Sequence, residues 1–196
     1  MAKIEKESVE GKAFDKIDFT EKPLPGGEYE SCTFKNCDFS NSGLTDIIFI
    51  ECEFDNCNLS LAKLNRTGLR DIKFRNCKML GLHFENCIEF GLSVSFENCN
   101  LNQSSFYKTK LKKQIFNNMK LQEVDFTESD LSGSVFENCD LAGATFKNTI
   151  LEKADLRSAT NYSIDPETNR IKRAQFAISG ISGLLDKYEI EIDFKG

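Results

Sequence analysis

From Phe96 to Leu156 every fifth residue is phenylalanine or leucine: Phe96, Leu101, Phe106, Leu111, Phe116, Leu121, Phe126, Leu131, Phe136, Leu141, Phe146, Leu151 and Leu156. A period of five is neither the 3.6 of an α-helix nor the 2 of a strand, so neither element could bury this set on one face. A short repeat kept this strictly predicts a stacked solenoid, in which each unit buries its apolar residue against its neighbours. The same frame runs earlier, from Phe14 to Phe84, with Phe, Leu, Tyr or Met at every fifth position. Of the 17 phenylalanines only Phe90, Phe176 and Phe194 lie outside the two repeat runs, which assigns the aromatics to an interior and not to a stacking platform.

A longer period lies beneath the short one. Phe14, Phe34, Phe54 and Phe74 are twenty apart, as are Leu24, Leu44 and Leu64. Four repeats per turn would stack like residues in columns, with turns about 4.8 Å apart, the spacing of paired strands. Each five-residue side then needs a corner. Gly26, Asn36, Asn41, Asn56, Gly81, Asn86, Asn98, Asn118, Gly133, Asn138, Gly143 and Asn148 all fall two residues after a frame residue, where a type II turn calls for positive φ. The pattern reads as a four-sided coil.

The remaining composition excludes more than it suggests. A net charge of −6 argues against an extended surface for nucleic acid. No apolar run is long enough to span a bilayer, and residues 1–11 lack the apolar core of a secretory signal, so the expected compartment is the cytoplasm. Seven of the eight cysteines stand two residues before a frame residue, a slot filled elsewhere by Ser, Thr or Ala, so cysteine reads as a small buried side chain. No Cys-x-x-Cys pair occurs and His83 is the only histidine, which leaves no metal site and no cofactor to expect. Neither a phosphate loop nor a nucleophile motif is present, and an enzyme is not expected.

Three departures from the frame divide the chain. Residues 1–11 form a lead-in without repeats, 12–158 the repeat region, and 159–196 a tail. Between Phe84 and Phe96 the spacing is twelve instead of ten, so residues 85–95 hold two extra residues, read as a bulge within one coil. In the tail, Ile178, Ile181, Leu184, Leu185 and Tyr188 follow helical spacing, while Ile190, Ile192 and Phe194 alternate with acids as on a half-buried strand. A stacked coil must cover its last open edge, and this helix-and-strand tail is the expected cap. The same apolar residues, Ile178 to Ile192, are the expected homodimer contact.

Segments such as CTFKNCDFSN (32–41), VFENCDLAGATFKN (135–148) and ADLRS (154–158) resemble the pentapeptide-repeat family, whose members are right-handed quadrilateral parallel β-helices with four repeats per coil. The resemblance covers 12–158. SIDPETNRI (163–171) and the closing GISGLLDKYEIEI (180–192) are similar to the corresponding stretches of the family's microcin-immunity and Qnr quinolone-resistance members. It implies a non-catalytic protein-binding module that engages a type II topoisomerase, DNA gyrase, as a DNA mimic, contacts no nucleic acid directly, and dimerises through its tail. The alternative is a cytoplasmic scaffold with an unrelated partner.

Charge bears on that choice. Residues 28–55 are acidic, 63–78 basic, 108–120 basic, and 123–140 acidic again, and with a turn of twenty residues these become bands across the rod. The band nearest the tail, Glu123, Asp125, Glu128, Asp130, Glu137 and Asp140, is the candidate partner-binding set, because a tail-to-tail dimer would join two copies of it.

Overall fold

The structure, a computed structural model, describes residues 7–193; residues 1–6 and Phe194, the last residue of the expected terminal strand, lie outside the described residues. The chain winds as a right-handed four-sided β-helix, and every strand pairing is parallel. Side one carries β2 (Ala13–Asp15), β4 (Thr33–Lys35), β6 (Glu53–Asp55), β8 (Ile72–Arg75), β9 (Val94–Glu97), β10 (Ile115–Asn117) and β11 (Val135–Glu137) as one seven-stranded sheet. Side four carries β1 (Glu7–Glu10), β3 (Gly27–Glu30), β5 (Ile48–Ile50) and β7 (Gly68–Arg70). Sides two and three are held by isolated bridges, such as Asp18↔Asp38↔Asn58 and Ser105↔Asp125↔Thr145. Bridges continue past the repeat region, to Arg170 and Gln175.

The register sets the core. Phe14 pairs with Phe34, Phe34 with Phe54, and Phe54 with Phe74. Every frame residue is buried, and the rings of one side stack coil on coil at 4.7–6.2 Å between centroids. Rings on neighbouring sides meet edge-on, as Phe34 does with Phe39 at 5.6 Å, so the quadrupoles of both contacts are favourable. Seven cysteines are buried beside these rings and none of the eight is in a disulfide. Cys57 gives its S–H to Phe34 O one coil below, as Thr67 gives its O–H to Leu44 O, so the small slot serves to satisfy a carbonyl. Burial pushes the thiols of Cys139 and Cys87 up to about 12 and that of Cys52 to about 11, which removes thiolate chemistry near neutral pH.

The corners confirm the turn but enlarge its residue set. Two residues after every frame residue from Tyr29 to Met79 and from Phe96 to Leu151, φ is positive. Ten of the twelve residues predicted for this role adopt it; Gly26 and Asn86 do not. Asn86 instead closes a 3₁₀ turn, Phe84–Asn86, at the register break. Charged residues of both signs, Ser31, Asn76, Gln103 and even Leu61 (φ 59°) take the remaining corners. A left-handed residue other than glycine costs about 1–2 kcal/mol. The coil offsets this by giving most corner N–H groups a carbonyl on the next turn: Leu61 to Leu80 O at 2.8 Å, Glu123 to Ala142 O at 2.8 Å. At the corner after side one the side chains bond as well, in a ladder where Asn56 donates to Asn36, Asn118 to Asn98 and Asn138 to Asn118.

The two extra residues enter on side four. Ile88 and Ser93 still donate to Thr67 O and Leu69 O, both at 2.9 Å, but the residues between leave the ladder. Leu92 packs on the core while Phe90 points out, 85% exposed. The bulge therefore forms, and turns one aromatic to the surface.

The cap differs from its expectation in two ways. Residues Ile178–Leu184 and Asp186–Tyr188 are 3₁₀ turns, not α-helix. Three residues per turn line Ile178, Ile181 and Leu184 on one edge, and put Gly180 and Gly183 on another against Tyr162. A Cβ on Gly183 would lie 2.1 Å from Tyr162 O, and Ile164 donates to Gly183 O at 2.8 Å, so glycine here permits the close approach that seats the cap. Residues 189–193 form no strand, because no described strand lies beside them to pair with.

Candidate interaction surface

The outward residues are where binding chemistry must lie, since every frame side chain is committed to the core. The six acids of the expected binding band do not converge on one face. Glu123 and Glu128 sit at the corners after sides two and three, Asp125 on side three, Asp130 on side four, Glu137 on side one and Asp140 on side two, so they girdle the rod.

Half of them also have structural work. Asp125, Asp130 and Asp140 each precede a frame residue and accept the N–H two positions on, from Thr127, Ser132 and Ala142. This is the Asx turn, used likewise by Asp18, Asp38 and Asp155. Asn161 and Gln122 hold the Asp140 carboxyl below the usual carboxylate range. Partial burial opposes ionisation of Asp130, but Ser132 and Lys112 outweigh it and lower its pKa. Glu123, Glu128 and Glu137 are the exposed remainder. Of these, Glu128 pairs with Lys108 at 3.4 Å and Glu123 accepts from Gln103 at 3.1 Å.

The alternating charge bands thus meet along the axis. Residues about twenty apart stack, and opposite signs pair between coils: Arg66 with Asp46, Arg75 with Glu53 and Glu97, Lys110 with Glu89, Arg170 with Glu152. Such exposed pairs contribute about 0–1 kcal/mol each, but they cancel much of the long-range field.

In the tail, Ile178 is 85% exposed and Ile190 56%, with Ile181 and Tyr188 also exposed. Leu184, Leu185 and Ile192 are half-buried, Leu184 against the core. A latch missed by sequence reasoning holds this segment down. Lys187 Nζ bridges Asp165 at 2.7 Å and Glu167 at 2.6 Å, and Tyr188 O–H donates to Glu167 at 2.9 Å. Lys187 lowers the pKa of both carboxylates. A depressed folded pKa contributes stability that is present above the unfolded value and lost as pH falls through the folded one. The cap is therefore expected to loosen below about pH 4, the model-peptide range of Asp and Glu. Hydrogen exchange over residues 178–188 should accelerate relative to the coils between pH 7 and pH 3, and Lys187→Ala should bring that acceleration to pH 7. Equal protection of cap and coils at pH 3 would remove the latch.

Sequence reasoning also missed the loop at the register break. Phe90, Glu85, Glu89 and Tyr107 border a cleft of about 720 Å³ between sides three and four. The two-residue surplus marked its position, but only the coil geometry shows which residue is expelled. Among the described residues no group of three or more His, Cys, Asp or Glu could hold a metal ion, and no helix is long and apolar enough to cross a membrane.

A family model described as a pentapeptide repeat region matches residues 28–89 and 92–163, on either side of this loop. No curated protein matches the sequence. Among solved structures, full-length QnrB1, a plasmid-mediated fluoroquinolone resistance protein, is 20% identical with a TM-score of 0.54, and the match covers 94% of this chain and 100% of that one. A trypsin-treated variant of QnrB1 is 22% identical with a TM-score of 0.53, covering 95% and 92%. HetL from the cyanobacterium Nostoc, a pentapeptide repeat protein involved in heterocyst differentiation regulation, is 16% identical with a TM-score of 0.40, covering 85% and 86%.

Proposed function

Because the chain belongs to the pentapeptide-repeat family, we propose that it is a non-catalytic protein-binding rod of the cytoplasm whose partner is a type II topoisomerase, DNA gyrase. The observation that carries the reading is the partition of the coil. Frame positions are apolar or aromatic throughout, and the charged side chains stand outward in rows about 4.8 Å apart, set by the coil-to-coil ladder. Such a surface offers many weak contacts in fixed register, the requirement for a protein that stands in for DNA. QnrB1, a fluoroquinolone resistance protein, shares the fold over nearly the whole chain. Glu123, Glu128 and Glu137, with Asp125, Asp130 and Asp140 behind them, supply the acidic girdle next to the cap. A homodimer through Ile178, Ile181, Leu184, Leu185, Tyr188, Ile190 and Ile192 would bring two girdles together, and would give the alternating 189–193 segment the strand partner it lacks.

A second reading is favoured by the coil-to-coil ion pairs. Arg66–Asp46, Arg75–Glu53 and Lys108–Glu128 neutralise acids that a phosphate mimic would leave bare, which suits a scaffold with an unrelated protein partner. Gyrase supercoiling, measured with and without a fluoroquinolone at micromolar protein, separates the two. Inhibition, or protection from the drug, is expected from the mimic, with at least a tenfold loss when Glu123, Glu128 and Glu137 are changed together to Gln. No effect on gyrase in either assay leaves the scaffold.

A further inference from the structure

The cleft at the register break holds an acid that the coil does not satisfy. At about 720 Å³ it has the size of a ligand site, with buried Phe84 and half-buried Cys87 and Leu92 as its apolar wall. Glu85 lines it from the 3₁₀ turn Phe84–Asn86. Its Oε1 meets His83 Nδ1 at 2.9 Å, while its Oε2 is buried and has no hydrogen-bond partner among the described residues. A buried carboxylate oxygen without a donor is costly, and a donor brought by an occupant would relieve that cost. The charge of Glu85 is felt inside the cleft: burial first, and then Glu85, push the Cys87 thiol up to about 12. The cations nearby are committed elsewhere. Lys108 pairs with Glu128 at 3.4 Å and lies over the Tyr107 ring at 4.7 Å, and Lys110 pairs with Glu89 at 2.6 Å. Arg70 approaches Gly91 but does not line the cleft. With both pairs closed, one negative charge is left over, at Glu85.

We propose that this cleft receives an arginine side chain presented by a partner protein, its guanidinium donating to Glu85 Oε2 and its stem lying between Phe90 and the wall of Phe84 and Leu92. The donor must be cationic, because an acid or a neutral amide would leave the Glu85 charge unanswered. It must also be one that leaves water readily. A guanidinium is weakly hydrated, stacks on an aromatic face and ends an apolar stem, whereas an ammonium is a strongly hydrated point charge. Tyr107 already carries Lys108, so the ring left for the incoming cation is Phe90, which has no cation over it among the described residues. Phe90 is 85% exposed, and Glu89 and Lys110 are both 70% exposed, so the edge of the cleft is made of side chains that can swing aside. The volume exceeds that of one side chain, so the residues flanking the arginine enter with it. The inference deepens the protein-binding reading and rests on it, but not on gyrase being the partner.

The test is a titration of the full chain with a capped five-residue peptide, four glycines about a central arginine, followed by backbone amide chemical shifts. For so small a probe a Kd of about 1 mM is expected, with shifts centred on residues 83–92 and 105–110. The same peptide with citrulline, which keeps the shape and loses the charge, should bind about tenfold more weakly or worse, and the lysine peptide about threefold more weakly. Glu85→Gln should weaken the arginine peptide by about tenfold and erase its advantage over citrulline, and Phe90→Ala should weaken it by about threefold. Arginine and citrulline peptides binding alike, Glu85→Gln without effect, a glutamate peptide preferred, or no shift in the cleft at about 10 mM peptide would each overturn the inference. If Glu85→Gln does not fold, the citrulline comparison on the unaltered chain decides. The readout is separate from gyrase. Failure of the arginine peptide while gyrase inhibition persists would remove this site and leave the proposed function; arginine binding in the cleft with gyrase unaffected would support the site and redirect the search to another protein partner.

Discussion

Phe116→Ala is expected to cost about 3–5 kcal/mol, the range for a fully buried phenylalanine, because the coil leaves it no way to collapse. Phe116 is 0% exposed, stacked at 4.9 Å on Phe136 and at 6.2 Å on Phe96, and it meets Phe106 and Phe126 edge-on. Its backbone is fixed in register with both neighbouring strands. The vacated volume can be refilled only by moving a neighbouring coil, which would break that ladder. Glu123→Ala, on the same few coils, should change stability by no more than about 0.5 kcal/mol, since its side chain makes only an exposed contact with Gln103. Urea unfolding of both variants decides the matter. Near-equal midpoints would contradict the division into inward and outward residues.

The second large effect is expected at the cap. Gly183→Ala places a methyl 2.1 Å from the Tyr162 carbonyl oxygen, where the obstacle is backbone and cannot rotate away. The cap must lift, losing the Ile164 bond to Gly183 O and the cover over Tyr162. Overpacking of about 1–3 kcal/mol and one lost hydrogen bond of about 0.5–1.5 kcal/mol set the scale. Limited proteolysis should then cut within residues 177–193 while the coils stay resistant, and the uncovered last coil should aggregate as bare sheet edges do. An alanine variant with native resistance in the tail would mean that the cap is not seated on Tyr162.

How much of this was legible before the coil was in view depends on which residues carried period five. The core was, down to the stacking of Phe14 on Phe34, because an apolar residue every fifth position has one way to be buried. The corners were legible only in part. Asn118 and Gly133 announce positive φ, but Lys113 and Leu61 adopt it under the compulsion of a hydrogen bond to the next turn, which no local propensity reveals. The acidic set was the least legible. Asp125 and Asp140 look like free charge in a string of letters, yet each is one half of an Asx turn. The pairing of Arg66 with Asp46 becomes visible only when twenty residues are folded into one turn. For the tail, the three-residue spacing of Ile178, Ile181 and Leu184 fits a 3₁₀ turn as well as an α-helix, and the strand pattern of Ile190 and Ile192 lacked a partner strand.

The equal sides of the coil have a genetic corollary. Inserting or deleting five residues leaves every phenylalanine and leucine pointing inward, yet rotates everything downstream by a quarter turn. Twenty residues only lengthen or shorten the rod. The interior therefore tolerates small in-frame slips that would redraw the exterior at one stroke, carrying the lysines of one side round to another without disturbing a single packed ring. In this chain such an event between Leu69 and Leu111 would carry Lys113 and Lys153 off the side that bears Glu28, Glu30 and Glu51, with every frame residue still inward.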